Sequence, residues 1–178
     1  MRTLLLCLAL ASPVQPQQLV RVLSYNIHHG EGADARIDLP RIAAVIKSAD
    51  PDVVALEEVD VRTERSKGVD QLLELAQLTS LQPVYGRTLS FQGGLYGNAV
   101  LARRPVNGFV NHELPGRESR GVLEAVISPP PGATGQYGFH FLATHLDLNE
   151  ADRLGAAARI HGVAAGQPPR WPMILAGD

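Results

Sequence analysis

The chain has 178 residues, of which 45% are apolar and 19% are charged, and its mean hydropathy is −0.01. This is the composition of a globular domain, and it excludes a disordered or fibrous protein. The formal net charge of −2 gives no chain-wide basic field to attract nucleic acid, and no apolar run reaches the roughly 18 residues that span a bilayer.

The first eleven residues have the pattern of an export signal. Arg2 supplies a positive charge, Leu4–Ala11 is an apolar block, and the block ends in the small residues that a signal peptidase recognises. We predict cleavage at the end of this block and a secreted or periplasmic mature chain; a buried strand or a mis-assigned start codon is the alternative. Cleavage removes Cys7, the only cysteine, and residues 12–18 then form a flexible lead.

Residues 19–178 alternate short apolar runs with helical patterns. Asp38 is predicted to cap the first helix, with Pro40 in its first turn, and Pro129–Gly132 marks a surface turn. The order of elements predicts an α/β protein with helices packed over sheets. Strands are predicted at 19–25, from 53 to 56, and at 99–102, 108–111, 122–127, 139–143 and 173–176, and helices at 39–47, 71–78 and 150–165.

Polar side chains follow several of the predicted strands at the point where each strand ends. In layered α/β folds such strand ends meet in one cleft, while the strands themselves stay buried. Carboxylate and amide oxygens are the ligands that Mg²⁺ accepts in proteins, so the sequence predicts a cation site in this cleft. The strand ends in question are Tyr25-Asn26, Leu56-Glu57-Glu58, Ala143–Asp147 and Ala176-Gly177-Asp178.

Five blocks of sequence, taken in order, resemble the successive blocks of the endonuclease/exonuclease/phosphatase superfamily. The resemblance covers nearly the whole predicted mature chain and implies a four-layer α/β sandwich of the deoxyribonuclease-I-like kind. It also implies hydrolysis of phosphoester bonds with Mg²⁺ or Mn²⁺. The blocks are Leu23–Ile27, Asp52–Val59, Tyr96–Arg103, Ala143–Asp147 and Ile174–Asp178.

The same resemblance implies roles for single residues. Glu58 matches the metal-binding glutamate of the family, which leaves Glu57 in a variable position that we interpret as a strand-end carboxylate in water. Asn26 matches an asparagine that reaches the metal or the phosphate, with an Asx turn as the alternative. His145 matches a histidine beside the scissile phosphate. Asp178 matches the aspartate that orients or deprotonates the attacking water.

Two further residues are expected to contact substrate. Asn98 lies at the substrate-contacting position of the family, and the guanidinium of Arg120 is suited to clamp two phosphate oxygens; a solvated loop charge is the alternative for Arg120.

His28 and His29 are adjacent, so their side chains are expected to point apart. No third histidine or cysteine stands at ligand spacing, and we interpret the pair as bordering the pocket rather than binding metal.

The function predicted is that of an exported metal-dependent hydrolase, in which water attacks phosphorus with metal assistance. The family's later Ser-Asp-His block is not found, so residues 19–178 are expected to form the N-terminal part, about two thirds, of such a domain, with its second sheet incomplete. The alternative is a catalytically dead fragment that at most binds a divalent metal or a phosphorylated ligand. The predicted partner is a phosphoester substrate, which is a nucleic acid, a phospholipid head group or a small phosphodiester, and no obligate protein partner is inferred.

Overall fold

The structure, a computed structural model, describes residues 19–130, 132, 137–167 and 171–178. The predicted export signal at 1–11 and the predicted lead at 12–18 lie outside the described residues, as does Pro131 of the predicted turn. In the described part of the chain, no helix is long and apolar enough to cross a membrane.

The described strands form two four-stranded sheets, with the orders β1-β2-β4-β3 and β5-β6-β7-β8. The strands are β1 (Val22–Asn26), β2 (Val53–Val61), β3 (Gln82–Phe91), β4 (Gly94–Ala102), β5 (Val106–Leu114), β6 (Arg120–Ile127), β7 (Phe139–Thr144) and β8 (Met173–Gly177). The helices are α1 (Leu39–Ala49), α2 (Gln71–Thr79) and α3 (Glu150–Ala165), and a short 3₁₀ turn covers His28–Gly30.

Three apolar cores hold four layers together. Leu56 and Leu101 face α1 and α2 from the first sheet, and residues such as Val100 and Phe141 fill the space between the two sheets. Leu142 packs against α3 on the outer face of the second sheet. Because strand side chains alternate between faces, one sheet supplies residues to two cores. The predicted four-layer α/β sandwich is therefore confirmed.

The first helix begins where the sequence predicts. Oδ1 of Asp38 accepts a hydrogen bond of 2.9 Å from the backbone N–H of Arg41, and Pro40 lies in the first turn. The other two helices begin with the same kind of cap, supplied by Asp70 and Asn149. A cap of this kind satisfies a backbone N–H that has no partner inside the helix.

The structure contains one strand that the sequence patterns do not predict. β3 includes Pro83 and Gly86, two residue types that weaken a strand. It lies at the edge of the first sheet and pairs only with β4. Proline is tolerated at an edge because one side of the strand makes no ladder hydrogen bonds, so the composition does not prevent this strand from forming.

Two parallel strand pairs set the position of the candidate site. β1 runs parallel to β2 with Asn26 opposite Glu57, and β7 runs parallel to β8 with Thr144 opposite Gly177. Parallel strands end at the same edge of their sheet, so the polar residues that follow them gather at one end of the sandwich. The second sheet has β8 at its edge, and its predicted incompleteness stays a prediction.

Candidate functional site

Three residues from distant parts of the chain meet at the strand ends. Nδ2 of Asn26 donates to Oε1 of Glu58 at 3.0 Å and to Oδ2 of Asp178 at 2.9 Å. Oδ1 of Asn26 accepts a hydrogen bond of 3.0 Å from the backbone N–H of His28. This is the Asx-turn contact named above as the alternative for Asn26, and it coexists with the two contacts to carboxylates. One amide therefore fixes two carboxylates, one carried by each sheet.

Asp178 is held in place by its own backbone. Its N–H donates to the carbonyl of Thr144 at 3.2 Å, and its C=O accepts from the N–H of Leu146 at 2.9 Å. The preceding Gly177 has a φ of 152°, and a Cβ there would overlap the carbonyl oxygen of Thr144. Glycine therefore lets the chain approach β7 closely enough for the backbone of Asp178 to bond Thr144 and Leu146.

A β-bulge separates the two adjacent glutamates. The register between β2 and β4 shifts between Leu56 and Val59, and Glu58 has a φ of 60°. Such a bulge re-aims side chains, and bulges are frequent beside active sites. Glu58 faces the site half-buried, whereas Glu57 is only 1% exposed. The interpretation of Glu57 as a carboxylate in water is wrong, because Glu57 continues the alternation of Val53 and Ala55, which face the core between the two sheets.

Glu57 is poorly compensated in its buried position. Its Oε1 accepts a long hydrogen bond of 3.4 Å from the hydroxyl of Ser24, and its Oε2 has no hydrogen-bond partner among the described residues. Burial raises the pKa of Glu57 to about 7, and the negative charge of Asp178 adds to the effect. Three carboxylates therefore share this end of the sandwich, and a cation would relieve their repulsion.

The two adjacent histidines do not point apart as the sequence suggested. Their ring centroids lie 4.4 Å apart, and one ligand atom each of His28, His29 and Glu58 lies within 4.8 Å of the others. His28 and His29 have φ values of 45° and 44°, and this left-handed backbone turns both rings toward Glu58. The third group is a carboxylate, which a search for histidine or cysteine spacing does not reveal.

His29 is the buried member of this pair. Burial, and then the positive charge of Arg65, lower the pKa of His29. Its Nε2 lies 3.4 Å from Oε2 of Glu31, and its backbone carbonyl accepts a hydrogen bond of 2.6 Å from the buried amide of Gln71. The position of His29 is therefore fixed by both its side chain and its backbone.

His145 and Arg120 are carried by the second sheet, with Arg120 at the start of β6 and His145 directly after β7. Burial, and then the positive charge of Arg120, lower the pKa of His145. Nδ1 of His145 and Nε of Arg120 are buried and make no hydrogen bond within the described ranges. Nη2 of Arg120 donates to Glu118 at 2.7 Å, and the Arg120 side chain is 12% exposed. Arg120 is thus not a solvated loop charge, and its role toward substrate stays a prediction.

Asn98 connects the two sheets. It is 2% exposed, and its Nδ2 donates to the carbonyl of Gly121 at 3.0 Å. The same carbonyl accepts the hydroxyl of Thr144 at 3.1 Å. Asn98 therefore holds the backbone next to Arg120, and its predicted contact with substrate stays a prediction.

Arg65 and Tyr96 border the site, and the sequence patterns did not single them out. Arg65 makes a two-pronged ion pair with the buried Asp60, at 2.7 and 2.8 Å. Its guanidinium lies 4.7 Å from the centre of the Phe91 ring and 5.5 Å from that of Tyr96. Burial, and then the negative charge of Glu58, raise the pKa of Tyr96 to about 12, so its hydroxyl stays protonated. Asp60, an acid between the apolar residues Val59 and Val61, is the one sequence signal of this arrangement.

The donor set at the strand ends fits a hard divalent cation. Asn26 brings the carboxylates of Glu58 and Asp178 together. Oε2 of the neighbouring Glu57 has no hydrogen-bond partner among the described residues, so the negative charge of Glu57 is poorly compensated. Mg²⁺ and Mn²⁺ bind through one or two carboxylates, with water and substrate phosphate completing their shells. The residues present therefore fit the cation that the fold family implies.

Two stacked sheets flanked by helices, with acid, amide and imidazole groups at their strand ends, define the deoxyribonuclease-I-like class of phosphoesterases. The model of the Endonuclease/Exonuclease/phosphatase family matches residues 23–178, and the chain belongs to this family. Family members are hydrolases that act on phosphoesters. The family predicted from the sequence is therefore confirmed.

Several relatives are similar over most of the chain. The uncharacterized protein YbhP of Escherichia coli (strain K12) is 33% identical over 177 aligned residues, covering 93% of this chain and 69% of YbhP. An endonuclease/exonuclease/phosphatase of Beutenbergia cavernae has a TM-score of 0.74 at 29% identity, over 89% of this chain and 47% of that one. The chain therefore spans about half the length of that protein. The mannosyl-6-phosphatase Bt3783 of Bacteroides thetaiotaomicron shares the fold, with a TM-score of 0.68 at 19% identity over 90% of this chain and 65% of its own.

Proposed function

We propose that the protein is a divalent-metal-dependent hydrolase of phosphoester bonds. One observation carries the proposal: Asn26 joins the carboxylates of Glu58 and Asp178, which come from different sheets. Two carboxylates held this close without a cation repel each other, and a divalent ion between them removes the repulsion. The family membership supports the choice of phosphoesters as substrates.

The cation would be held by Glu58 and Asp178, with Asn26 keeping both carboxylates in place. When bound, Mg²⁺ or Mn²⁺ neutralises negative charge on the phosphate. Asp178 is exposed at the end of β8, where its carboxylate can accept a hydrogen bond from the attacking water and orient it toward phosphorus.

The second sheet supplies hydrogen-bond donors to the site. Burial and Arg120 keep the imidazole of His145 neutral near neutral pH, because both lower its pKa. A neutral imidazole still donates one N–H, and such a donor stabilises charge that develops on phosphate oxygens. Arg120 adds a fixed positive charge beside it, and Asn98 holds the backbone that carries Arg120.

The surroundings of Arg120 favour a hydrophilic substrate. A cavity of about 480 Å³ next to it is lined mainly by polar groups, including the guanidinium groups of Arg87, Arg117 and Arg120 and the carboxylates of Glu113 and Glu118. Such a lining suits the charged head of a phosphoester better than an apolar chain. We place a small phosphodiester or phosphomonoester ahead of DNA, because the net charge of −2 gives no general attraction for a polyanion. Export to the periplasm or the outside is also proposed, on the pattern of residues 1–11 alone.

Hydrolysis of p-nitrophenyl phosphate and bis-p-nitrophenyl phosphate with Mn²⁺ or Mg²⁺ tests the proposal. Chelation with EDTA should abolish the reaction, and Glu58→Gln should slow it by about 100-fold or more, since a catalytic cation is worth several kcal/mol. Glu64→Gln is the matched control, because Glu64 is exposed in the loop after β2. Cation binding without hydrolysis of either compound would contradict the proposal and favour a chain that binds a metal or a phosphorylated ligand only.

A further inference from the structure

The cluster of His28, His29 and Glu58 has no role in the function proposed above beyond the part that Glu58 plays there. We propose that these three side chains form a second cation site, selective for a first-row transition ion such as Zn²⁺ or Mn²⁺, which shares Glu58 with the first site. The proposal rests on the proposed function only through that shared residue. It stands on the positions of the three side chains and on the chemistry of their ligand atoms.

The separations suit one ion. One ligand atom from each of the three residues lies within 4.8 Å of the others. Ligands at about 2.0 to 2.2 Å from one ion lie about 3 to 4 Å from each other in tetrahedral geometry. Side-chain adjustments of roughly 1 Å therefore close the site around an ion.

His29 is prepared for this role by its two ring nitrogens. Nδ1 is buried and has no hydrogen-bond partner in the part of the chain that the structure describes, although buried polar atoms are nearly always paired. Nε2 lies 3.4 Å from the carboxylate of Glu31. A histidine that binds a metal through one nitrogen usually donates the other N–H to a carboxylate or carbonyl. His29 has this arrangement, with Nδ1 left for the ion.

The backbone keeps both histidines on the same side. Gln71 donates to the carbonyl of His29 at 2.6 Å, and Oδ1 of Asn26 accepts the N–H of His28 at 3.0 Å. Both histidines have positive φ values, a backbone conformation that is uncommon for residues other than glycine. Without this local backbone, two adjacent side chains would diverge; here their ring centroids are 4.4 Å apart.

The ligand set selects the class of cation. Two imidazoles with one carboxylate suit zinc, manganese and other transition ions, whereas Mg²⁺ prefers oxygen ligands and retains its water. Three protein ligands also leave a position for water or substrate. The purely oxygen-based site of Glu58 and Asp178 differs in this respect, so the two sites are expected to discriminate between Zn²⁺ and Mg²⁺.

Calorimetric titration of the full chain with Zn²⁺, in the presence of excess Mg²⁺, tests the selectivity. His28→Gln and His29→Gln should each weaken Zn²⁺ binding by at least about 10- to 100-fold and leave Mg²⁺ binding unchanged. His161→Gln is the matched control, because His161 is exposed on α3, and it should behave like the unmodified chain. Equal Zn²⁺ affinity in the unmodified chain and all three variants would overturn the proposal.

A measurement without substitutions guards against a variant that fails to fold. Pulsed electron paramagnetic resonance of the unmodified chain with Mn²⁺ should show couplings to imidazole nitrogen, and their absence would overturn the proposal. Nitrogen couplings in a chain that hydrolyses no phosphoester would support this site and count against the proposed function. Glu58-dependent hydrolysis without nitrogen couplings would support the proposed function and count against this second site.

Discussion

The side-chain amide of Asn98 donates to the carbonyl of Gly121 at 3.0 Å and thereby ties β4 of the first sheet to β6 of the second. The bond is buried, since Asn98 is only 2% exposed, and Gly121 directly follows Arg120. A residue that the family pattern associates with substrate therefore also has a role in joining the two halves of the sandwich.

Replacing Asn98 with alanine is expected to lower the free energy of unfolding by about 1 to 3 kcal/mol, because it removes a buried hydrogen bond and leaves a space. The loss should lie at the lower end of that range, since Thr144 still donates to the same carbonyl. Urea denaturation measures it. Asn107→Ala, at an exposed position of β5, is the control. Equal losses of unfolding free energy in the two variants would contradict the role of Asn98 in joining the two sheets.

The ion pair of Arg65 with Asp60 gives the second prediction. Asp60 is fully buried, and both of its carboxylate oxygens are bound by Arg65, at 2.7 and 2.8 Å. Arg65→Met should lower the free energy of unfolding by about 3 to 5 kcal/mol, because it leaves a buried charge unpaired. Arg65→Lys should recover only part of this loss, since an ammonium group cannot bind both oxygens in the same way.

A double-mutant cycle checks that the loss comes from the pair itself. Asp60→Asn combined with Arg65→Met should be less destabilising than the sum of the two single changes, since no charge is then left buried without a partner. Strictly additive losses in chemical denaturation would show that Arg65 and Asp60 contribute independently.

Glu57 gives the third prediction. In EDTA at about pH 8, Glu57→Gln is expected to raise the free energy of unfolding by roughly 1 to 2 kcal/mol, because it removes a buried charge that has one long hydrogen bond. Added Mn²⁺ should reduce the gain, since a cation offsets the same charge in the unmodified chain. Thermal melting with and without Mn²⁺ measures both effects. Glu64→Gln should show neither, and a destabilised Glu57→Gln variant would contradict the prediction.

The sequence predicts the elements better than the directions of the side chains at the site. The helix at Glu150–Ala165 has the predicted bounds, because Asn149 caps its start and its alanine-rich run ends before Gly166. β3 is not predicted, because Pro83 and Gly86 obscure an edge strand that tertiary pairing stabilises. Local propensity is a weak guide where tertiary contacts decide.

The same limit applies to the candidate site. Family blocks indicate that Asn26, Glu58 and Asp178 belong together, and the structure brings the three into contact. The direction of the Glu58 side chain and the approach of His28 to His29 depend on a bulge and on left-handed backbone. Residue spacing along the chain assumes regular backbone, so neither feature can be read from it.

The lowered pKa of His145 gives the last prediction, which concerns stability at acidic pH. Burial and the charge of Arg120 lower the pKa of this imidazole in the folded chain below its ordinary value of 6.5. The unfolded chain therefore binds more protons than the folded chain as the pH falls below that value, and the folded state loses stability there. In EDTA, the unmodified chain should lose more free energy of unfolding between about pH 7.5 and about pH 5.5 than His145→Gln, which carries no titrating ring. Urea denaturation at both pH values measures the difference, and His161→Gln, at an exposed position on α3, should retain the pH dependence of the unmodified chain. An identical loss in the unmodified chain and in His145→Gln would mean that His145 is protonated as easily in the folded chain as in the unfolded one.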